Sequence, residues 1–162
     1  MNYDEIKAML HAKEAAADKK RNEEAARWKT THRQEEHNLQ ARCVKWFRNE
    51  WPELSGVFFA VPNGGVIGQS KSKAEHAKAG AKRRDEGVLA GVSDLLLLVA
   101  RNGYHGLCIE MKTEDKKSRQ IETQKEFERN VVKQGYEYVV VRSYEDFKEK
   151  ITWYLASHDR II

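Results

Sequence analysis

Two short apolar runs, at residues 95–99 and 107–109, predict the two strands of a β-hairpin. The residues between them, Arg101-Asn102-Gly103, predict a three-residue loop in which the glycine takes the left-handed conformation. This loop is favoured because it stacks the apolar side chains of both strands on one side of the hairpin. A two-residue Asn102-Gly103 loop would shift the register by one residue and move the side chains of one strand to the other face.

The predicted loop brings two carboxylates and a lysine together on one face. It pairs Ala100 with Tyr104 and, since paired residue numbers in an antiparallel ladder have a constant sum, it also pairs Asp94 with Glu110. Lys112 shares the face of Glu110 because alternate residues of a strand point the same way. Directly opposed like charges repel, so this pair is costly unless a cation lies between them. Lys112 reduces the repulsion, and a divalent metal ion would remove it.

Two predicted helices add polar groups to otherwise apolar faces. A capping-box spacing begins a helix at residues 31–49, whose inward stripe carries Glu36. Ser118 is the predicted cap of a helix at residues 118–134, whose inward side carries Gln124. A lone glutamate at the edge of an apolar stripe is more often exposed than functional, so the helical pattern alone leaves the role of Glu36 open.

The other elements complete an α/β domain with a helical extension. Strands are predicted at residues 56–61 and 138–142, a basic helix at residues 73–86 that ends at Gly87, and a last helix that begins at Ser143. The fourth strand follows the third through a helix, so we expect a parallel, right-handed crossover. Residues 1–30, which are rich in Ala, Glu, Lys and Arg, predict a helical charged arm, and residues 31–162 the folded domain.

A concentrated basic segment at residues 71–84 indicates contact with nucleic acid. Its bases are Lys71, Lys73, Lys78, Lys82, Arg83 and Arg84, against the single acid Glu75. The formal net charge of the whole chain is only +4, so this segment carries the excess charge. One basic patch on a nearly neutral body is typical of a polyanion binder, although a charge run is more often a solvated helix face.

Composition excludes a membrane span and a secretory signal. A transmembrane helix needs about 18 consecutive apolar residues, and every apolar run of this sequence is much shorter. The N-terminus MNYDEIKAML has no basic segment followed by an apolar one, so it does not resemble a secretory signal. The two cysteines, Cys43 and Cys108, lie on predicted core faces, which favours buried free thiols of a reducing cytoplasm.

The residues Asp94, Glu110 and Lys112 match the chemistry of metal-dependent phosphodiester hydrolysis. Carboxylate oxygens are hard ligands that suit Mg²⁺ or Mn²⁺. A bound ion polarises the phosphate and lowers the pKa of a water, while a lysine positions that water or neutralises charge on the phosphate.

The chain resembles the virus-type replication-repair nucleases (VRR-NUC), a branch of the PD-(D/E)XK superfamily. The resemblance covers about residues 34–156. The matching segments are Glu36-His37-Asn38-Leu39-Gln40, Pro62-Asn63-Gly64-Gly65, Gly91-Val92-Ser93-Asp94-Leu95, Tyr104-His105-Gly106-Leu107, Ile109-Glu110-Met111-Lys112, Gln124 and Gly135-Tyr136.

This resemblance implies an αβββαβ restriction-endonuclease-like core, with a mixed four-stranded sheet flanked by helices. It implies a metal site formed by Glu36, Asp94 and Glu110 with the Met111 carbonyl. Lys112 would then be the catalytic lysine and Gln124 its accompanying residue. Stand-alone members of the family look like homodimeric, structure-selective endonucleases that act on branched DNA such as four-way junctions. Similar function is therefore expected here, with DNA and a second subunit as partners.

Two features depart from the family pattern or stay open. Ser93 replaces the proline that usually precedes the aspartate, which affects backbone stiffness more than ligation, and residues 1–30 lie outside the pattern. Asn63 could steer a phosphate or only form a turn. Two other functions remain open: a nucleic-acid-binding module that keeps the fold without turnover, and an adaptor or oligomerisation role centred on the arm.

Overall fold

The computed structural model of the protein describes residues 3–62, 72–115 and 117–156. Its helices are α1 (Tyr3–Glu50), α2 (Lys73–Asp85), α3 (Glu122–Lys133) and α4 (Tyr144–Ala156), and its strands are β1 (Phe58–Ala60), β2 (Leu95–Leu97), β3 (Leu107–Met111) and β4 (Glu137–Val141). The chain divides into two compact units, Met1–Asn38 and Leu39–Ile162. The predicted boundary between residues 30 and 31 stays a prediction.

The four strands form one mixed sheet in the order β1-β2-β3-β4. The β1–β2 and β2–β3 pairings are antiparallel, and the β3–β4 pairing is parallel. The connection between β3 and β4 contains α3. Parallel neighbours need a crossover rather than a tight turn, and a helix is the usual crossover. The predicted α/β class, with a mixed four-stranded sheet flanked by helices, is confirmed.

The hairpin has the predicted register but not the predicted loop. Leu95 pairs with Ile109 and Leu97 with Leu107, as expected. The loop, however, has two residues, because Arg101 and Tyr104 exchange both backbone hydrogen bonds (3.1 and 2.8 Å) around Asn102-Gly103. The prediction of a three-residue loop was therefore wrong.

A local irregularity reconciles the short loop with the predicted ladder. Between the ladder and the loop, residues 98–100 of the first strand face only residues 105–106 of the second. Asn102 and Gly103 have φ values of +53° and +81°, which is typical of the two-residue turns that match strand twist. An extra residue on one strand, as in a β-bulge, absorbs the one-residue shift. The core side chains therefore keep their face.

Phe58 of β1 and odd-numbered residues of β2, β3 and β4 face an apolar core shared with two helices. The buried side chains of this core are Cys43, Phe47, Phe58, Leu95, Leu97, Leu107, Ile109, Met111, Val141, Phe147, Ile151 and Tyr154. Helix α4 presents its residues at helical spacing, as the sequence predicted. The even-numbered residues of β3, including Glu110, point to the opposite face of the sheet.

Two predicted helix starts are wrong, and one helix end is confirmed. Helix α1 runs without interruption through Thr31, whose hydroxyl donates to the Arg27 carbonyl oxygen (3.1 Å) instead of capping a new helix. Helix α3 begins at Glu122, four residues after the predicted cap, Ser118. Helix α2 ends at Asp85, and Gly87 follows it with a φ of +86°, as expected of a glycine after a helix end.

Candidate active site

The backbone fixes Asp94 next to the end of strand β3. Its Oδ2 accepts a hydrogen bond from the backbone N–H of Met111 (2.8 Å), and its own carbonyl oxygen accepts one from the N–H of Val61 (2.9 Å). Continuing the register of β2 and β3 by one residue places Asp94 opposite Glu110. Asp94 is therefore held both at its carboxylate and at its backbone, at the position that the ladder predicts.

The backbone carbonyl of Met111 faces the same side as Asp94. The N–H of Lys112 donates to Val141 of β4 (2.9 Å), so the backbone groups of Lys112 point towards β4. Those of the preceding residue point the other way, because backbone groups alternate along a strand. The carbonyl oxygen of Met111 and the carboxylate of Asp94 therefore lie on the β2 side of β3.

The carboxylate of Glu110 is completely buried. A buried charge is unfavourable unless it is paired and hydrogen-bonded. Here Nζ of Lys112 lies 2.7 Å from Oε1 of Glu110, and Nε2 of Gln124 donates to the same oxygen. The lysine is itself only 8% exposed. The predicted association of Glu110, Lys112 and Gln124 is thus present as direct contacts.

Gln124 reaches Glu110 from the first turn of helix α3. Its side-chain oxygen accepts from the backbone N–H of Ile121 (3.0 Å), which leaves its amide group to donate to Glu110. Gly91 allows the segment before Asp94 to pass directly beneath this turn. A Cβ atom at position 91 would lie 2.3 Å from the carbonyl oxygen of Thr123. The glycine therefore sets how closely the aspartate segment and the glutamine helix approach.

Tyr138 is a site residue that the sequence interpretation missed. It lies on β4 opposite Cys108, and its hydroxyl donates to Oε2 of Glu110 (3.4 Å). Burial, followed by the negative charge of Glu110, raises the pKa of Tyr138 well above its usual value. The predicted parallel pairing of β3 with β4 could have indicated this residue. Paired residues of neighbouring strands point their side chains to the same face, and alternate residues of one strand share that face.

The two cysteines are free and buried, as predicted. Burial raises the pKa of the Cys43 thiol to about 12 and that of the Cys108 thiol to about 11, although a hydrogen bond with Ser93 acts in the opposite direction on Cys108. Both thiols are therefore neutral at physiological pH. Since the thiolate is the metal-binding and nucleophilic form, neither thiol is suited to those roles.

The predicted contribution of Glu36 to the metal site stays a prediction. Glu36 is half-buried on α1, in the unit Met1–Asn38, whereas the contacts above lie in Leu39–Ile162. Within residues 3–62, 72–115 and 117–156, no three His, Cys, Asp or Glu side chains form a group that could hold a metal ion. The other predicted donors, the oxygens of Asp94 and Glu110 and the Met111 carbonyl, belong to the second unit.

The basic residues predicted to bind nucleic acid are partly described. Lys78, Lys82 and Arg84 are exposed on α2, and Arg83 is half-buried. Nζ of Lys82 lies 3.7 Å from a carboxylate oxygen of Glu86, in an exposed ion pair of the kind that contributes little to stability. Two other predicted contacts, Asn63 and Lys71, lie outside the described residues, and so does the side chain of Lys73.

No membrane-crossing helix occurs in the part of the chain that the structure describes, because none of its helices is both long and apolar enough.

Comparison with known proteins identifies the family. The VRR-NUC domain matches residues 20–145. A solved structure described as a VRR_NUC domain protein is 27% identical in sequence and superposes with a TM-score of 0.62, over 76% of this chain and 90% of its own. No curated protein matches. Because the family match covers well over half of the chain and includes Asp94, Glu110, Lys112 and Gln124, the chain belongs to the VRR-NUC family and contains a nuclease-type domain.

Proposed function

We propose that the protein is a Mg²⁺- or Mn²⁺-dependent DNA endonuclease that hydrolyses phosphodiester bonds. The observation that carries this proposal is the buried carboxylate of Glu110, held by Lys112 and Gln124 beside the anchored carboxylate of Asp94. A buried carboxylate and a buried lysine beside a second, half-buried carboxylate are costly to maintain, so the group is typical of a site with a chemical role.

The oxygen donors of the site fit a hard divalent cation. Asp94 and Glu110 would hold the ion together with the Met111 carbonyl, and Glu36 is proposed as a further ligand on the family resemblance. These ligands are few, which suits Mg²⁺ or Mn²⁺ because such ions keep several waters. A bound ion would supply Lewis-acid activation of the phosphate and a more acidic water.

The side chains around these donors supply orientation and positive charge. The Met111 N–H occupies Oδ2 of Asp94 and so fixes the plane of that carboxylate. Lys112 is a buried cation 2.7 Å from Glu110, where it neutralises charge that develops on the phosphate or positions the attacking water. Gln124 holds the same carboxylate from helix α3.

Branched DNA is the proposed substrate, and a homodimer the proposed assembly. Both are implied by the family resemblance, and the exposed bases of α2 support contact with a phosphate backbone. A reducing cytoplasm, in which Cys43 and Cys108 stay as thiols, is part of the same proposal.

The direct test is cleavage of labelled DNA with Mg²⁺, with Mn²⁺ and with a chelator. We expect metal-dependent cleavage that is faster on a four-way junction than on a flap or a linear duplex of the same length. Lys112→Ala should abolish it, while the control Lys133→Ala, which changes an exposed lysine of α3, should leave it intact.

The competing function is DNA binding without turnover. It is supported if the protein binds junctions in a salt-dependent way but cleaves none of the three substrates with either metal. Equal cleavage by wild type and Lys112→Ala would show that any activity does not come from this site.

A further inference from the structure

The hydroxyl of Tyr138 contacts Oε2 of Glu110, whereas Lys112 and Gln124 contact Oε1. Lys112 and Gln124 both donate to Oε1, whereas Tyr138 donates to Oε2 (3.4 Å). Both oxygens of the carboxylate therefore accept hydrogen bonds. A carboxylate held at one oxygen can still rotate about its last torsion, and a donor at the second oxygen restricts that rotation.

Gln120 determines the direction of the Tyr138 hydroxyl. Its Nε2 donates to the hydroxyl oxygen (3.4 Å) and also to Oε2 of Glu128 (2.9 Å). A phenol has a single proton, so a hydroxyl oxygen that accepts from Gln120 directs its proton to Glu110. The sequence Glu128, Gln120, Tyr138, Glu110 is thus a chain of donors and acceptors that ends at the site.

The ring of Tyr138 is also packed in place. Tyr138 is 8% exposed, and its ring packs against that of Phe127 on α3 with a centroid distance of 6.3 Å. Strand β4 sets its height, because Tyr138 pairs with Cys108, two residues before Glu110 on β3. Helix α3, the strand pairing and the hydrogen bonds therefore all determine where the hydroxyl lies.

We propose that Tyr138 is a positioning residue that orients the carboxylate of Glu110 for binding a divalent cation. The inference rests on the proposed function, since it gives Tyr138 a role in the metal site. A hydrogen-bond partner that orients a metal ligand typically changes metal affinity by about 10- to 100-fold. The contact is longer than most O–H···O hydrogen bonds, so we expect an effect near the lower end of that range.

Tyr138→Phe is the test, because it removes the hydroxyl and keeps the ring. We expect Mn²⁺ binding, measured by calorimetry on the full chain, to weaken about tenfold. We also expect cleavage to recover towards the wild-type rate at saturating Mn²⁺. A change in apparent metal affinity with a nearly unchanged maximal rate distinguishes positioning of the ligand from general damage to the fold.

Tyr154→Phe is the matched control. The Tyr154 hydroxyl is also buried and donates to the Val99 carbonyl oxygen (2.6 Å), but Tyr154 belongs to the apolar core on the other face of the sheet. Its loss should lower the thermal midpoint without changing Mn²⁺ affinity. Gln120→Leu, which removes the group that directs the phenol proton, should weaken Mn²⁺ binding in the same direction as Tyr138→Phe.

Three results would overturn the inference, and they are distinguishable. If wild type binds Mn²⁺, Glu110→Ala does not, and Tyr138→Phe binds as tightly as wild type, Tyr138 has no positioning role and the proposed function stands. If wild type binds no Mn²⁺, the proposed function fails and the role of Tyr138 fails with it. Equal weakening by Tyr138→Phe and Tyr154→Phe would show a structural effect only.

Discussion

Gln124 links the beginning of helix α3 to the buried carboxylate of Glu110. Its two side-chain groups act in different directions, since the oxygen accepts from the Ile121 N–H and the amide donates to Oε1 of Glu110. Gln124 thus both stabilises the start of helix α3 and orients the carboxylate of Glu110. Substitution of Gln124 should therefore affect stability and cleavage together.

Gln124→Ala is expected to reduce both cleavage and stability. Loss of the bond to the Ile121 N–H should lower the free energy of unfolding by about 1 kcal/mol, as for other helix-start contacts. Loss of the bond to Glu110 should reduce cleavage by about tenfold or more. Denaturant titration and initial cleavage rates measure the two effects, and Thr123→Ala, on the exposed neighbour, is the control. Unchanged cleavage by Gln124→Ala would contradict the orienting role.

The pairing of Lys112 with Glu110 predicts a large difference in the free energy of unfolding between a single and a double variant. Lys112→Met leaves Glu110 buried without its cation, and breaking a buried pair in this way typically costs about 3–5 kcal/mol. The double variant Glu110→Gln/Lys112→Met removes both charges, so we expect it to regain most of that stability while remaining inactive.

An exposed pair provides the comparison for this experiment. Lys82→Met breaks the exposed pair with Glu86 and should change the free energy of unfolding by about 0.5 kcal/mol or less. Chemical denaturation of all three variants is the measurement. If Lys112→Met is no less stable than Lys82→Met, the pair of Lys112 and Glu110 does not behave as a buried ion pair.

Three glycine-to-alanine substitutions separate backbone strain from steric contact. Gly56 has open space around it and no positive φ, Gly87 has a φ of +86° in open space, and Gly91 combines a φ of +83° with backbone atoms of Thr123 as close as 2.3 Å. We expect almost no loss at position 56 and about 1–2 kcal/mol at position 87. The loss should be larger still at position 91.

Gly91→Ala should also impair cleavage more than its loss of stability accounts for, because the clash displaces the start of α3 relative to the segment that leads to Asp94. The measurement is cleavage at a temperature where the variant is fully folded, with Gly87→Ala as the reference. Equal stability of Gly87→Ala and Gly91→Ala would argue against the close contact with α3.

The exposed basic residues of helix α2 are expected to make a salt-dependent contribution to DNA binding. Lys78→Ala and Arg84→Ala should each weaken binding, and each should reduce the slope of log affinity against log salt by about one if the residue contacts a phosphate. Fluorescence anisotropy with a labelled junction over a range of salt concentrations measures this slope. Lys133→Ala is the control for loss of one exposed positive charge, and a slope identical in all variants would exclude α2 from the interface.

The hairpin shows how far sequence reasoning reached and where it failed. Alternation of apolar residues predicted which residues pair, because a shift of one would move Leu95 and Leu97 out of the core. The predicted loop length was wrong because, in a regular hairpin, the register fixes the loop length, and this hairpin is not regular. An extra residue at 98–100 decouples them, and local residue preferences do not reveal such an irregularity.

The sequence by itself determined the strands, the parallel crossover, and the set of Asp94, Glu110 and Lys112, because strand alternation and like-charge repulsion act between near neighbours in a ladder. Only the tertiary structure decided that Tyr138 approaches the second oxygen of Glu110 and that Gly91 lies against the first turn of α3. These contacts join segments that are distant in sequence. Their geometry depends on the close packing of a helix against the sheet, which no local pattern of residues encodes.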